Sequence, residues 1–236
     1  LVGSEMCIRD RIYISTFSKL LMEKWLAEIR KEFKKNGDPI KAQGAKAYLL
    51  NQFEFFGVMT PTRRKISKAF YTSPPIQNHA ALSTIVKICF KQPEREMHYF
   101  GLEWLGFSRS LWCKQTLALI EWILTHESWW DTVDSTNSHV IGLFFKKFPE
   151  YIPTYTEKWN QSNNIWLQRT SILFQLSYKK ETNTELLSKY IEQRIAHPNF
   201  FIRKAIGWAL RAYAHHNPKW VKTFVKSHPQ LSPLSV

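Results

Sequence analysis

Helical periodicity runs almost unbroken through residues 22–227, and it constrains the chain more than any other feature. In the stretch 22–33, Trp25, Leu26, Ile29 and Phe33 recur at the three- and four-residue spacing that gathers apolar side chains on one helical face. The same pattern predicts helices over 41–53, 61–71, 79–91, 93–107, 111–125, 130–148, 149–159, 165–178, 184–196, 200–215 and 218–227. Thr60-Pro61 reads as an N-cap followed by the first helical residue, and Pro149 and Pro218 mark further starts. The connections are short, as at Asn36-Gly37-Asp38-Pro39, His197-Pro198-Asn199 and Asn217-Pro218, and Pro74-Pro75 reads as an ordinary loop. No stretch alternates in the manner of hairpin strands. The expected fold is therefore all-α, a solenoid or bundle of about a dozen helices. Helix pairs recur roughly every 35 to 40 residues, within the range of HEAT-like repeats. Self-similarity between repeats is weak, so this expectation rests on architecture, and no linker is long enough to divide two domains.

Charge narrows the class of partner. Lys and Arg total 33 against 19 Asp and Glu, a formal net charge of +14. Such an excess suits a polyanion, nucleic acid first and an anionic membrane surface second, with a merely basic protein as the plain alternative. Beyond Glu192 no acidic residue follows, while Arg194, Arg203, Lys204, Arg211, Lys219, Lys222 and Lys226 do. Arg63, Arg64, Lys65 and Lys68 form a second cluster able to neutralise phosphates and release counterions. At 44% hydrophobic and 15% aromatic residues, the chain can build a sizeable core.

Several classes find no support. The three cysteines, Cys7, Cys89 and Cys113, form no CxxC pair, which argues against a disulfide scaffold, an iron–sulfur site or a zinc ribbon and points to a reducing compartment. No run approaches the roughly 18 apolar residues of a membrane span. The histidines form no metal set, and there is no HExxH, GxxxxGK or GxGxxG. Nucleotide hydrolysis and redox chemistry are therefore not expected, nor is any cofactor.

One segment stands out chemically: Ser128-Trp129-Trp130-Asp131-Thr132-Val133-Asp134. Carboxylates beside aromatic faces are odd on a chain built to attract anions. They make sense if the target is an anionic polymer with a local positive charge. Neighbouring helix residues point about 100° apart, so Trp129 and Trp130 cannot face one cleft, and Trp129 is expected to pack. Trp25, Trp104, Trp122 and Trp166 are likewise expected in cores. Asp131 suits a helix start. Arg169, in a largely apolar helix, either pairs with a carboxylate or grips a phosphate bidentately, and phosphate contact is the preferred reading. Arg211 lies three residues after Trp208 and shares its helix face.

A set of segments in order carries a family resemblance: Ala47-Tyr48; Phe55-Phe56-Gly57; Thr60-Pro61-Thr62-Arg63-Arg64; Pro93-Glu94-Arg95-Glu96; the Trp-Trp-Asp segment; Asn164-Ile165-Trp166-Leu167-Gln168-Arg169-Thr170; Phe200-Phe201-Ile202-Arg203-Lys204 through Arg211; and Leu231-Ser232-Pro233-Leu234-Ser235. Over residues 22–235 the chain resembles the AlkD-type bacterial DNA alkylation repair glycosylases, built from HEAT-like repeats. The resemblance implies a curved α-solenoid with a basic concave face. It implies a single domain over 22–236, with 1–21 a non-native extension; the stretch 1–11 has neither a helical pattern nor a signal-peptide core. The family continues past its LSPLS segment with a basic helix, so truncation at the C-terminus is expected.

The resemblance also implies a reaction. Alkylation at N3 or N7 makes a purine cationic, so the base leaves neutral without a general acid. A sugar of oxocarbenium character remains for water to attack, and a carboxylate can stabilise that cation, position the water, or both. In the family pattern Asp134 matches the catalytic carboxylate, Trp130 and Trp208 the aromatic pair flanking the lesion nucleotide, and Arg169 an arginine of the active cleft. Tyr48 matches a position near DNA, with packing as its alternative. Arg63, Arg64, Arg203, Lys204 and Arg211 are expected on duplex phosphates. No lysine sits in a recognisable lyase motif, so the implied enzyme is monofunctional and leaves an abasic site for base excision repair. A tight base pocket is not needed, so bulky N3 or N7 adducts are expected as substrates and neutral lesions such as uracil are not. A monomer in the bacterial cytoplasm, nucleoid-associated on DNA, is the default. The alternatives are a non-catalytic HEAT-like DNA-binding paralogue and a protein-interaction scaffold; the presence of Trp130, Asp134, Arg169 and Trp208 together favours the enzyme.

Overall fold

The computed structural model describes residues 16–236 other than Ser73 and Ile76. Of the stretch 1–21, expected to be a non-native extension, residues 1–15 lie outside the described part. Among the described residues twelve helices follow in order: α1 (Thr16–Lys35), α2 (Pro39–Tyr48), α3 (Thr60–Tyr71), α4 (His79–Phe90), α5 (Arg95–Phe107), α6 (Thr116–Thr125), α7, α8 (Ile152–Gln161), α9 (Ile165–Leu173), α10 (Thr184–Arg194), α11 (Phe200–Ala214) and α12 (Pro218–Ser227). Helix α7 runs as Trp130–Thr136, a π turn at Asn137–Ile141, and Gly142–Lys147. Among the described residues the only β feature is an isolated bridge between Glu54 and Glu94. The fold is all-α, as expected, and no described helix is long and apolar enough to cross a membrane.

The element boundaries differ from the periodicity in instructive places. Helix α1 begins at Thr16, and Met22 is a fully buried residue inside it. Helix α2 stops at Tyr48 because Leu50 and Asn51 take left-handed backbone, φ 56° and 58°. Thr60 is the first residue of α3 and Met59 its N-cap, one position earlier than Thr60-Pro61 suggested. Helix α6 starts only at Thr116, whose Oγ1 accepts from the Cys113 backbone N–H at 3.0 Å. Asparagine caps announce the later starts: Asn164, Asn183, Asn199 and Asn217 each accept backbone N–H groups at the heads of α9 to α12.

The chain divides into two compact units, Leu1–Leu119 and Ile120–Val236. In the first, α1 packs on α3 and α4, α3 on α5, and α4 on α5. Its core is aromatic. Trp25 lies 5.6 to 5.9 Å from Phe70, Phe100 and Trp104, and Tyr71 stacks on Phe100, Trp104 and Phe107. Burial, and then the charge of Glu103, push the Tyr71 phenol far above its usual range, so it serves as a donor, its OH reaching Glu103 at 3.2 Å. The long α2–α3 connection is tied down by Glu96, in the first turn of α5. Glu96 Oε1 accepts from the backbone N–H groups of Gly57 (2.8 Å) and Val58 (3.1 Å), and Oε2 from that of Phe56 (3.1 Å). Gly57 itself is obligatory. Its φ is +82°, and a Cβ there would sit 2.1 Å from the Asp38 carbonyl oxygen.

In the second unit, α7, α9 and α11 pack side by side, while α8 and α10 lie against α9 and each other. This two-layer stacking of successive helices is the helical-repeat arrangement. Phe145, Trp159 and Phe174 interlock in the core, at 5.6 Å between ring centroids from Phe145 to each of the others.

The three hydrogen bonds to Glu96 generate a prediction. Glu96→Ala strands three backbone donors and costs about 3 kcal/mol or more in urea unfolding. Glu96→Gln, which keeps one acceptor oxygen, costs measurably less. Equal losses for the two variants would show that packing rather than hydrogen bonding holds this loop.

Candidate functional site: an aspartate–arginine–tryptophan cluster

The layer α7, α9, α11 carries the residues singled out in the sequence. Trp130 is the first residue of α7 and Asp134 follows four positions on, so both lie on one helical face. Asp131 falls in the first turn, where a carboxylate complements the helix dipole. Trp129 is the N-cap and turns the other way, as expected. Its ring packs edge-on against Trp166 (5.7 Å) and Phe201 (5.4 Å), which themselves meet at 5.0 Å. This wedge of three aromatic rings holds the starts of α7, α9 and α11 together.

Arg169 is the centre of the cluster. It lies in α9 with 5% of its surface exposed. Its Nε donates to Asp134 Oδ1 at 2.7 Å and its Nη2 to Asp134 Oδ2 at 2.8 Å, a parallel two-bond fork. Its Nη1 donates to the Phe201 carbonyl oxygen in the first turn of α11. One guanidinium thus ties three helices. Of the two roles open to Arg169 in the sequence, the structure takes the carboxylate pair. The preferred phosphate contact gives way, because the side chain is buried and its fork is already filled. The guanidinium carbon also stands 6.0 Å from the centre of the Trp208 ring. Asp134 keeps 18% of its side-chain surface exposed, and Trp208 is half-buried. The cluster therefore presents a carboxylate of fixed orientation and an indole to solvent above a cation that cannot leave.

Two further residues, neither singled out by the sequence analysis, brace this pair. Asn137 opens the π turn, is 2% exposed, and donates through Nδ2 to the Val133 carbonyl (3.0 Å) and to Thr170 Oγ1 (3.3 Å). Thr170 follows Arg169, so the Asn137–Thr170 contact is a second rung between the same two helices. A π turn has no residue signature of its own, which is why periodicity read α7 as regular.

The expected phosphate-contacting residues divide by environment. Lys204 and Arg211 are exposed on α11, four residues before and three after Trp208, on its face. Arg203 is half-buried, with Nε donating to the His197 carbonyl at 3.1 Å. Burial, with the charges of Arg194 and Arg203, holds His197 below the ordinary imidazole range. Its Nδ1 accepts from the Asn199 N–H at 3.1 Å, as only an unprotonated nitrogen can. In the first unit Tyr48 is 72% exposed and Arg64 is exposed, although its Nε donates to Glu103 at 3.1 Å. Arg63 corrects the expectation. It is 5% exposed, donates to Glu103 at 2.8 Å and lies 4.9 Å over the Tyr99 ring. Its position three residues into α3 turns it inward, so it serves the core and not a phosphate.

The pair should carry a measurable energetic signature. Arg169→Leu leaves the Asp134 carboxylate without its partner and costs about 3 kcal/mol in urea unfolding. Arg169→Lys restores less than half of that loss, since an ammonium cannot span both oxygens. A loss under about 0.5 kcal/mol for Arg169→Leu would place the pair among weak surface contacts.

The model of the family described as DNA alkylation repair enzyme matches residues 29–236. Among solved structures, a predicted DNA alkylation repair enzyme from Enterococcus faecalis is similar, with 29% sequence identity, a TM-score of 0.77, and coverage of 85% of this chain and 93% of that one. No curated protein matches the chain. The family match takes in α7, α9 and α11 and nearly every other described helix, and the chain belongs to the DNA alkylation repair enzyme family.

Proposed function

We propose that the protein is a monofunctional DNA glycosylase that hydrolyses the N-glycosidic bond of cationic N3- and N7-alkylated purines in duplex DNA. The observation that carries this reading is the Asp134 carboxylate, fixed by a buried arginine and still open to solvent beside Trp208. A carboxylate offers about four acceptor positions, and the arginine fork takes two. The remainder can face the substrate.

The chemistry follows from charge. As the bond from C1′ to the purine breaks, its electron pair passes to the base and cancels the formal positive charge there. Positive charge moves to C1′ and the ring oxygen of the sugar. Asp134 stabilises that cation and orients the attacking water, which releases a proton to bulk solvent as its oxygen bonds C1′. The products are a neutral alkylated base and an abasic site. Trp130 and Trp208 offer electron-rich faces to the cationic base and to the polarised C–H groups of the sugar. Arg169 acts through Asp134, holding its orientation. Lys204 and Arg211, exposed beside Trp208, together with Arg203, Arg64 and Tyr48, contact the DNA backbone without reading sequence.

Incubation with duplex DNA containing N7-methylguanine tests the reading. The parent protein releases free N7-methylguanine, and Asp134→Asn lowers the single-turnover rate by at least about 100-fold. A uracil-containing duplex yields no base. Equal release by parent and Asp134→Asn would remove the carboxylate from the mechanism, and no release by a duplex-binding parent would make the protein a non-catalytic DNA binder. The duplex affinity falls steeply with salt, and Lys204→Ala or Arg211→Ala each lowers the slope of log K against log salt by about 1. A flat salt dependence would point to a protein partner in place of DNA.

A further inference from the structure

We infer that the C-terminal segment 231–235 is a positioning strap for Trp208, seated in a groove of α11 that exists because residue 207 is glycine. The catalytic consequence of the strap rests on the glycosylase reading; its structural basis does not.

The groove is defined by close approach. A Cβ built on Gly207 would lie 2.7 Å from the Leu234 carbonyl oxygen and 3.1 Å from Ser235 Cα. These are backbone atoms, which cannot swing aside as a flexible side chain can. Ser235, 2% exposed, donates its hydroxyl to the Arg203 carbonyl oxygen at 3.0 Å. Arg203 precedes Gly207 by one helical turn, so the segment lies along a single stripe of α11. The segment is also internally braced. The Ser235 N–H donates to the Ser232 carbonyl at 2.7 Å, the Leu234 N–H to Ser232 Oγ at 3.1 Å, and Leu231 is buried. A rigid, folded segment therefore clasps the helix.

Trp208 follows Gly207 and points about 100° around the helix from it. Its face carries Lys204 and Arg211. Across the first turn, Arg169 binds the Phe201 carbonyl. Helix α11 is thus held near its start by α9 and at its middle by the strap, and its roll about its own axis is set by both. The tip of a helical side chain sits roughly 6 Å from the axis, so a roll of about 15° shifts it by roughly 1.5 Å. Misplacement on the order of 1 Å at a reacting centre is enough to cost up to about 100-fold in rate. A segment remote in sequence from Asp134 therefore decides where the indole stands relative to it.

The test compares Gly207→Ala with the parent in the full chain. Alanine favours the helix more than glycine does, so the variant displaces the strap while leaving α11 intact. Ser235→Ala, which removes only the hydroxyl, is the second variant should Gly207→Ala fail to fold. Both are labelled with 5-fluorotryptophan, and the Trp208 fluorine resonance is assigned by its loss in Trp208→Phe. The expected result is a shifted or split Trp208 resonance, with those of Trp25 and Trp104 in the other unit unmoved. Single-turnover release of N7-methylguanine by Gly207→Ala falls about 10-fold or more, with the duplex Kd unchanged. In a Trp208→Ala background the same change is silent, because its route of action is gone. An unmoved Trp208 resonance overturns the strap whatever the activity, and so does undiminished release by an active Gly207→Ala. A moved resonance in Gly207→Ala, when the parent itself releases no base, overturns the glycosylase reading and leaves the strap standing.

Discussion

One cation and one carboxylate, joined by two parallel hydrogen bonds, organise the second unit. The cost of burying Arg169 is high, and a well-packed apolar pair in its place is often as stable or more so. The pair is better understood as a constraint on direction than as a source of stability. Asp134 cannot rotate without breaking two bonds at once, and Arg169 cannot follow it without releasing the Phe201 carbonyl. The aromatic wedge of Trp129, Trp166 and Phe201 then fixes the same three helices from their starts. Fixed dipoles and charges stabilise a developing cation without reorganising as it forms. A carboxylate held this way is suited to a substrate whose own positive charge makes the leaving group easy and leaves only the sugar to be managed.

The first unit is held by the same economy of means. Glu96 uses both oxygens to gather three successive backbone donors, and Gly57 accepts the left-handed turn that brings them together. Glu103 collects Arg63, Arg64 and the Tyr71 hydroxyl. Carboxylates are scarce in this basic chain, and several of them are spent on interior or half-buried ties. Few acids are then left to offset the remaining cations at the surface.

Much of this was legible in the sequence, and the limits are physical. The described helices could be read from periodicity because most bury one face, although α2 buries no residue and α9 is buried all round, and proline or asparagine marked most starts. The ends were less legible: the left-handed residues that stop α2 are Leu50 and Asn51, and leucine there is no turn signal. Asp134, Trp130, Arg169 and Trp208 were found through an ordered family resemblance. Three of those four, Asp134, Arg169 and Trp208, meet in space around the guanidinium. The inward turn of Arg63 was not foreseeable from a cluster of four basic residues, since its burial depends on Glu103 and Tyr99 in a different helix. Asn137 and Thr170 were missed for a similar reason. Each is unremarkable alone, and their pairing exists only once α7 and α9 are side by side.

The π turn has a consequence for how the two halves of α7 can change. An extra residue in a turn rotates everything beyond it by about 100° relative to a regular helix. Upstream of it stand Trp130 and Asp134; downstream stand Phe144 and Phe145, fully buried in the core. The phase offset means that no single apolar stripe has to serve both. Substitutions that retune the chemistry at one end can accumulate without asking the packing at the other to re-register, so a single helix behaves as two independently tunable parts joined by a swivel of fixed angle.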